Sequence, residues 1–134
     1  MFTVVPLIAA IAPFVIWPIE LLFPYPYIIE EIVKGILIVS VLDLHGRVIQ
    51  VRIVLASAIL FALSETVLYI LNIALVGNFS TLITRFTLTA LLHSLTMLII
   101  LISAFKHKWL IPAGIAAAML IHYLFNMAIP NIFT

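Results

Sequence analysis

Long apolar stretches separated by short polar breaks make up almost the whole of this chain. A helix needs about 20 residues to cross the roughly 30 Å hydrocarbon layer of a membrane, and several stretches reach or approach that length. They are Phe2–Phe23, Tyr27–Leu44, Val48–Val76, Ser80–Phe105 and Trp109–Ile132. Proline, glycine or charged residues fill the breaks between them, as turns and helix ends require. The pattern predicts an all-α bundle of about five transmembrane helices, in a single integral membrane domain that covers residues 1–134.

The composition agrees with a membrane location. Of the 134 residues, 66% are hydrophobic and 8% are charged, and the mean hydropathy is +1.40, whereas about a quarter of the residues in soluble domains are charged. The net charge of +1 comes without any basic run, which excludes nucleic-acid binding. The absence of cysteine excludes a disulfide, a thiolate nucleophile and a cysteine-bound zinc. We expect a multi-pass protein of the cell membrane, embedded in the lipid bilayer.

The few cations predict the orientation of the bundle. Arg47 and Arg52 flank the second break, and Lys106 and Lys108 belong to the fourth, while the first and third breaks have no cation. Cytoplasmic loops carry most of the lysine and arginine in membrane proteins. We therefore expect the second and fourth breaks to face the cytoplasm, with the N-terminus inside and the C-terminus outside.

Six side chains that can ionise or bind metal interrupt the apolar stretches. They are Glu30, Glu31, Glu65, Arg85, His93 and His122. Placing such a group at the middle of a bilayer costs about 3 kcal/mol even on the lenient insertion scale. Counted at about 1.5 Å per helical residue, all of them and Asn126 lie in the outer half of the membrane or near its midplane. We expect them to share a water-containing cavity that opens to the outer side, in a core that spans residues 27–132.

The second apolar stretch places opposite charges at helical spacing. Glu30 and Lys34 are four residues apart on one helix face, and Glu31 lies about 100° further around the helix. Lys34 can then neutralise one carboxylate while the other faces the interior of the bundle. Acidic residues in a first helical turn also occur simply because they complement the helix dipole. The acidic pair alone is therefore compatible with a site and with an ordinary helix start.

Later stretches carry further polar residues at helical spacing. Arg85 and His93 lie on one slanting stripe of the fourth stretch, and His122 and Asn126 are four residues apart on the fifth. Glu65, on the third stretch, lies at a level where Arg85 could form a structural ion pair with it. A single buried histidine is often only a hydrogen-bonded packing residue. Two histidines on different helices, one with an asparagine partner, favour a functional site.

The residue inventory excludes several intramembrane chemistries. Asp43 is the only aspartate, which excludes a protease with two catalytic aspartates, and the chain has neither a His-Glu-x-x-His zinc motif nor a Gly-x-Ser-x-Gly elbow. Glutamate, histidine and asparagine remain, and they suffice to hydrolyse a peptide bond through an activated water. Glu65, His93 and His122 could alternatively hold a zinc ion. Both the metal-free and the zinc version stay open at this point.

Four short motifs occur in order on successive stretches. They are Glu-Glu-x-x-Lys at 30–34, Phe-x-x-x-Glu at 61–65, an arginine followed by a histidine at 85–93, and His-x-x-x-Asn at 122–126. In this order they resemble the motifs of the PrsW family of intramembrane proteases. That family belongs, with the type II CAAX prenyl endopeptidases and the bacteriocin-processing enzymes, to the CPBP superfamily. The CAAX endopeptidases have Glu-Glu-x-x-x-Arg and Phe-x-x-x-His instead, so processing of prenylated proteins is not expected.

The resemblance implies a glutamate-dependent endopeptidase embedded in the membrane, acting on a membrane-anchored protein. It assigns Glu30 as the general base and Glu31 as its supporting acid. It assigns the polarisation of substrate and water to a set of amide and imidazole groups, His93, His122 and Asn126. Supporting roles fall to Lys34, Glu65 and Arg85. The expected mechanism needs no cofactor, although zinc is possible.

Two functions of other classes compete with this prediction. One is a non-catalytic scaffold, as resemblance to the γ-secretase subunit that descends from the same superfamily would allow. The other is a small proton-coupled transporter, because buried glutamate, histidine and arginine side chains also relay protons across membranes. The presence of both Glu30 and Glu31 favours the enzyme over the scaffold.

Overall fold

The computed structural model describes residues 4–72 and 79–129, and this part of the chain is helical throughout apart from short connections. Its helices are α1 (Val5–Glu20), α2 (Pro26–Leu42), α3 (Arg47–Asn72), α4 (Phe79–Lys106) and α5 (Ile111–Ala128), with a 3₁₀ turn at Lys108–Leu110 before α5. The described residues contain no strand, and the all-α prediction is confirmed. The Gly77–Asn78 break and the predicted span ends at Phe2, Val76 and Ile132 lie outside the described residues.

The start of α2 and its connection to α3 contain residues that are typical of helix ends. Pro26 is the first residue of α2, a position where its missing N–H is not needed. Gly46 has a φ of 96° in the connection to α3, a conformation that glycine adopts without steric cost. The Gln50 side chain donates hydrogen bonds to the carbonyls of Leu42, at 3.1 Å, and Leu44, at 2.7 Å. These bonds give a donor to the carbonyl of the last residue of α2 and to one in the connection that follows.

Three helical segments are long and apolar enough to cross a membrane, namely Arg47–Leu71, Phe79–Lys106 and Lys108–Ala128. The apolar α1 is shorter, and α2 has 17 residues that include Glu30, Glu31 and Lys34. Many large apolar side chains on the outside of the bundle are exposed, as expected for a surface that contacts lipid. These features are those of a membrane protein.

The α1 helix contains two prolines in its interior, Pro13 and Pro18. Proline has no N–H, so the carbonyls of Ala9 and Phe14, four residues earlier, lack the usual donor within the helix. The Ser64 hydroxyl of α3 donates a 2.5 Å hydrogen bond to the carbonyl of Ala10 in the same region. This bond helps to hold α1 against α3, its main neighbour.

Small residues allow α5 to pack closely against α2 and α4. A Cβ atom added at Gly114 of α5 would lie 2.8 Å from the Ser103 Oγ and 3.1 Å from the Ile100 Cα of α4. One added at Gly35 of α2 would lie 2.5 Å from the Ile115 Cδ1 of α5. Close approach of this kind is typical of helices packed in a membrane. It brings α2, α4 and α5 near enough for their polar side chains to touch.

The larger apolar cluster and the charged side chains of α2 occupy different halves of the bundle. The second half of α2 packs its apolar residues against α3, α4 and α5, and the first half presents Glu30, Glu31 and Lys34. The fully buried members of the apolar core include Ile38, Val41, Val54, Met97, Ile100 and Leu101. The half of the bundle that contains Glu30, Glu31 and Lys34 is therefore adjacent to a closely packed apolar core.

Candidate active site

The first half of α2 buries three charged residues. Glu31 and Lys34 have no exposed surface, and Glu30 is 7% exposed. The Lys34 Nζ donates a 2.7 Å hydrogen bond to the Glu31 Oε1 and lies 3.8 Å from the Glu30 Oε2. The i,i+4 spacing made Glu30 the natural partner of Lys34, but the close ion pair forms with Glu31 at i,i+3. Residues three and four apart are both neighbours on a helix, and here His93 of α4 fixes where the lysine points.

His93 connects α4 to both α2 and α3. Its Nδ1 lies 2.7 Å from the Lys34 Nζ, and its Nε2 forms a short hydrogen bond with the Glu65 Oε2. An ammonium group only donates, so Nδ1 accepts and the ring proton is on Nε2, from which it is donated to Glu65. The Phe61 ring packs edge-on against His93 with the centroids 5.1 Å apart. His93 is therefore held by a cation, a carboxylate and an aromatic ring.

His122 brings α5 into the same cluster. Its Nδ1 lies 2.8 Å from the Glu31 Oε1 and 3.8 Å from the Glu30 Oε2. The Glu31 Oε1 thus accepts hydrogen bonds from Lys34 and from His122 together. The rings of His93 and His122 face each other edge-on, with centroids 5.7 Å apart. Side chains from α2, α3, α4 and α5 are consequently joined in one network, of which only Glu65 is partly exposed among the residues that form these bonds.

A cavity of about 200 Å³ adjoins this network, with room for a few water molecules. Glu30, Glu65, Arg85, Thr89, Leu92, His93, His122, Phe125 and Asn126 line it. The second carboxylate oxygens of Glu30 and Glu31 are buried and have no hydrogen-bond partner within residues 4–72 and 79–129. A carboxylate oxygen in this state needs a donor such as water or substrate.

The structure places every residue of the predicted site around this cavity or its network. Glu30, Glu31, Lys34, Glu65, His93 and His122 form the contacts described above, whereas Arg85 and Asn126 lie on the cavity wall. Glu65 contacts His93 and shares the wall with Arg85, whose guanidinium stacks on the Tyr69 ring at 3.9 Å. Asn126 is exposed, and it lines the cavity together with His122.

The possible metal ligands differ from the predicted set. Within the described residues, ligand atoms of Glu30, His93 and His122 lie within 4.8 Å of one another, whereas the sequence suggested Glu65 in place of Glu30. Both ring nitrogens of His93 already face other groups, Lys34 and Glu65. A metal ion bound to His93 would take the place of one of these two contacts.

Glu20, at the end of α1, is absent from the predicted site. It lines a neighbouring cavity together with Glu65 and Arg85. Its position just before the Pro24 break resembles that of an ordinary polar helix end. The signal that could have found it is the one that selected the other ionisable residues, namely a charged side chain attached to an apolar stretch.

The site thus contains the Glu30 carboxylate, which has an oxygen without a hydrogen-bond partner in the described residues, and the Glu31 carboxylate, which accepts from two donors. Two buried imidazoles lie with them beside a small cavity. Such a set can activate water and stabilise developing charge. No protein-family model, curated protein or solved structure matches this chain.

Proposed function

We propose that this protein is a PrsW-like intramembrane endopeptidase, which hydrolyses a peptide bond of a membrane-anchored protein with water activated by Glu30. The observation that carries the proposal is the convergence of α2, α4 and α5 at one cavity, which Glu30, His93 and His122 line and beside which Glu31 binds His122. The proposed topology has five membrane spans, with the N-terminus inside, the C-terminus outside and the cavity open to the outer side.

Glu30 is the general base in this proposal because it is the carboxylate of the α2 pair that remains available. It lines the cavity, and its Oε2 has no hydrogen-bond partner in the described part of the chain. Glu31 is not among the residues that line the cavity, and its Oε1 accepts from Lys34 and His122, at 2.7 and 2.8 Å. Glu30 takes a proton from water while the water oxygen attacks the carbonyl carbon of the scissile bond.

The remaining residues complete the hydrolysis. His122 donates through Nδ1 to Glu31, which leaves its Nε2 as an acceptor that can orient the attacking water. The Asn126 amide, on the cavity wall, donates to the oxyanion of the tetrahedral intermediate. Glu30 then gives its proton to the amide nitrogen as the carbon–nitrogen bond breaks, so that a carboxylic acid and an amine leave and the enzyme returns to its starting state.

Lys34 and Glu65 position the histidines without touching the substrate carbonyl. Lys34 bridges Glu31 and the His93 Nδ1, and Glu65 accepts from the His93 Nε2. This arrangement fixes the tautomer and the orientation of the His93 ring, as second-layer carboxylates commonly do for histidines. His93 therefore presents the cavity with an oriented ring beside His122.

A metal-assisted variant would use Glu30, His93 and His122 as ligands. A bound zinc ion would make its water more acidic and polarise the substrate carbonyl. We propose the metal-free route because the contacts of His93 with Lys34 and Glu65 leave it no free ring nitrogen.

The test is cleavage of a library of single-span peptides by the full chain reconstituted in lipid vesicles. The parent protein should cleave at least one member, and Glu30→Gln should lose about 10²- to 10⁴-fold of the rate, the usual contribution of a general base. Asp43→Asn is the matched control, because Asp43 is an exposed carboxylate at the opposite end of α2. Absence of cleavage by the folded parent across the library, or full activity of Glu30→Gln, would refute the proposal.

One observation favours proton-coupled transport as the second candidate. Hydrogen bonds run without interruption from Glu65 through His93, Lys34 and Glu31 to His122, and chains of this kind can relay protons. Proton flux into vesicles that contain the parent, and its loss in Glu65→Gln, would favour this function over the endopeptidase.

A further inference from the structure

A second cavity, of about 180 Å³, lies between the C-terminal half of α1 and helices α3 and α4. Trp17 and Glu20 belong to its α1 wall, and Tyr69 belongs to its α3 wall. Glu65 and Arg85 line both this cavity and the candidate active site. We call it the α1 groove. A polypeptide segment in the α1 groove would lie directly beside the proposed site of hydrolysis.

Glu20 is the residue of the α1 groove whose carboxylate is best placed to bind a ligand. Its Oε1 is buried and lacks a hydrogen-bond partner among residues 4–72 and 79–129. A carboxylate oxygen removed from water without a compensating donor costs free energy. A donor supplied by a bound molecule would remove that cost.

The charges that line the α1 groove favour a cationic donor. Glu20 and Glu65 provide two carboxylates, while Arg85 provides one cation that is already stacked on the Tyr69 ring at 3.9 Å. The groove therefore has two carboxyl groups for one cation, a count that favours a further cation as the ligand. Trp17 adds an indole ring, the aromatic group that attracts lysine and arginine most strongly.

We propose that the α1 groove binds a lysine or arginine side chain of the substrate close to the scissile bond, and that Glu20 accepts its hydrogen bond. The aliphatic part of such a side chain packs along the apolar wall while the charged end reaches the carboxylate. Glu20 is then a specificity-determining residue that selects substrates with a basic residue beside the cleaved bond. The inference rests on the proposed endopeptidase function for the identity of the ligand as a polypeptide.

Binding can be measured separately from cleavage. The probe is a fluorescently labelled apolar helix of about 20 residues, long enough to span the bilayer, with one lysine near its outer end, and a twin with glutamine in that place. The full chain in lipid nanodiscs should bind the lysine peptide about tenfold more tightly than the glutamine peptide, as expected for one charge-assisted hydrogen bond. Glu20→Gln should abolish this preference, and Asp43→Asn should keep it.

A charge-reversal variant provides a second measurement. Glu20→Lys should favour a peptide with aspartate in the test position over the lysine peptide, and thermal unfolding checks that each variant is folded.

Equal binding of the lysine and glutamine peptides by the parent would overturn the inference, as would a lysine preference that Glu20→Gln or Glu20→Lys leaves unchanged. A parent that prefers the lysine peptide but cleaves nothing would refute the endopeptidase and keep the groove. A parent that cleaves peptides but binds the lysine and glutamine peptides equally would refute the role of the groove and support the endopeptidase.

Discussion

At the scale of single residues, the glutamates of the candidate active site differ mainly in the partners they have. Glu31 accepts from Lys34 and His122, and Glu65 accepts from His93. The nearest cation to the Glu30 Oε2 is Lys34, at 3.8 Å, which is beyond hydrogen-bond distance. The two adjacent glutamates of α2 are thereby given different properties by their surroundings, one fixed in place and the other available to bind water.

Lys34 holds the network together, and its loss should destabilise the protein. Lys34→Met leaves Glu31, which has no exposed surface, without its closest cation. Breaking a buried ion pair in this way costs about 3–5 kcal/mol of the free energy of unfolding. Denaturation in mild detergent micelles, followed by the loss of helical signal, measures the change. The double variant Glu31→Gln/Lys34→Met should lose clearly less than the two single variants added together. Strict additivity would mean that the two residues do not act as a pair.

Glu30 should show the opposite behaviour, because its carboxylate is buried without a hydrogen bond to its Oε2. Glu30→Gln replaces a buried charge by a neutral amide and should raise the free energy of unfolding by about 1 kcal/mol, as often happens when a functional residue is neutralised. Glu31→Gln is the matched control and should lower it, since it weakens bonds from Lys34 and His122. Thermal unfolding of the two variants in the same detergent gives the comparison, and a lower stability of Glu30→Gln would contradict this account.

At the scale of helices, the apolar pattern predicted the elements closely but not how they face one another. Helix α3 begins at Arg47 where Val48 was expected, and α4 begins at Phe79 where Ser80 was expected. The apolar stretches and the breaks between them determine where the helices end, since proline, glycine and charged residues act on the backbone next to them. The rotation of each helix depends on contacts between distant residues, which explains why the pairing of Lys34 with Glu31 and the position of Glu20 were not predicted.

The contact between α4 and α5 offers a test of how packing supports the site. Gly114→Leu places a side chain where even a Cβ would lie 2.8 Å from the Ser103 Oγ. We expect it to cost about 1–3 kcal/mol of stability through overpacking, and to slow cleavage by about 100-fold by displacing His122. Ala117→Leu, on the exposed side of the same helix, is the control and should change stability by less than about 0.5 kcal/mol. The unfolding free energy and the cleavage rate of both variants decide the matter. Equal effects of the two would show that the α4–α5 contact does not position the site.

At the scale of the whole molecule, the predicted and observed architectures agree on an all-helical chain with segments that can cross a membrane. Hydropathy is sufficient for this because a bilayer requires long apolar helices. The gathering of polar residues was expected from their similar depth along separate helices. Depth in the membrane does not distinguish side chains that are in contact from side chains that lie at the same depth on separate sides of the bundle. The individual hydrogen bonds of the network could therefore not be predicted from the sequence.

The proposed five-span topology can be tested by cysteine labelling, which the absence of native cysteine makes straightforward. Tyr25→Cys should react with a membrane-impermeant maleimide applied to intact cells, because the first break is placed outside. His45→Cys and His107→Cys should react only after the membrane is permeabilised, because the basic breaks are placed inside. All three native side chains are exposed in the structure. The reverse pattern would invert the orientation, and labelling of all three from outside would refute the five-span arrangement.

The prolines of α1 have a mechanical consequence for the α1 groove. Pro13 and Pro18 each remove one backbone hydrogen bond from the helix that forms one side of this groove. That helix bends more easily than an uninterrupted one, whereas Gly114 leaves no spare space where α5 meets α4. A polypeptide that enters the α1 groove would therefore lie against a wall that can bend to admit it, while the tight α4–α5 contact keeps its spacing.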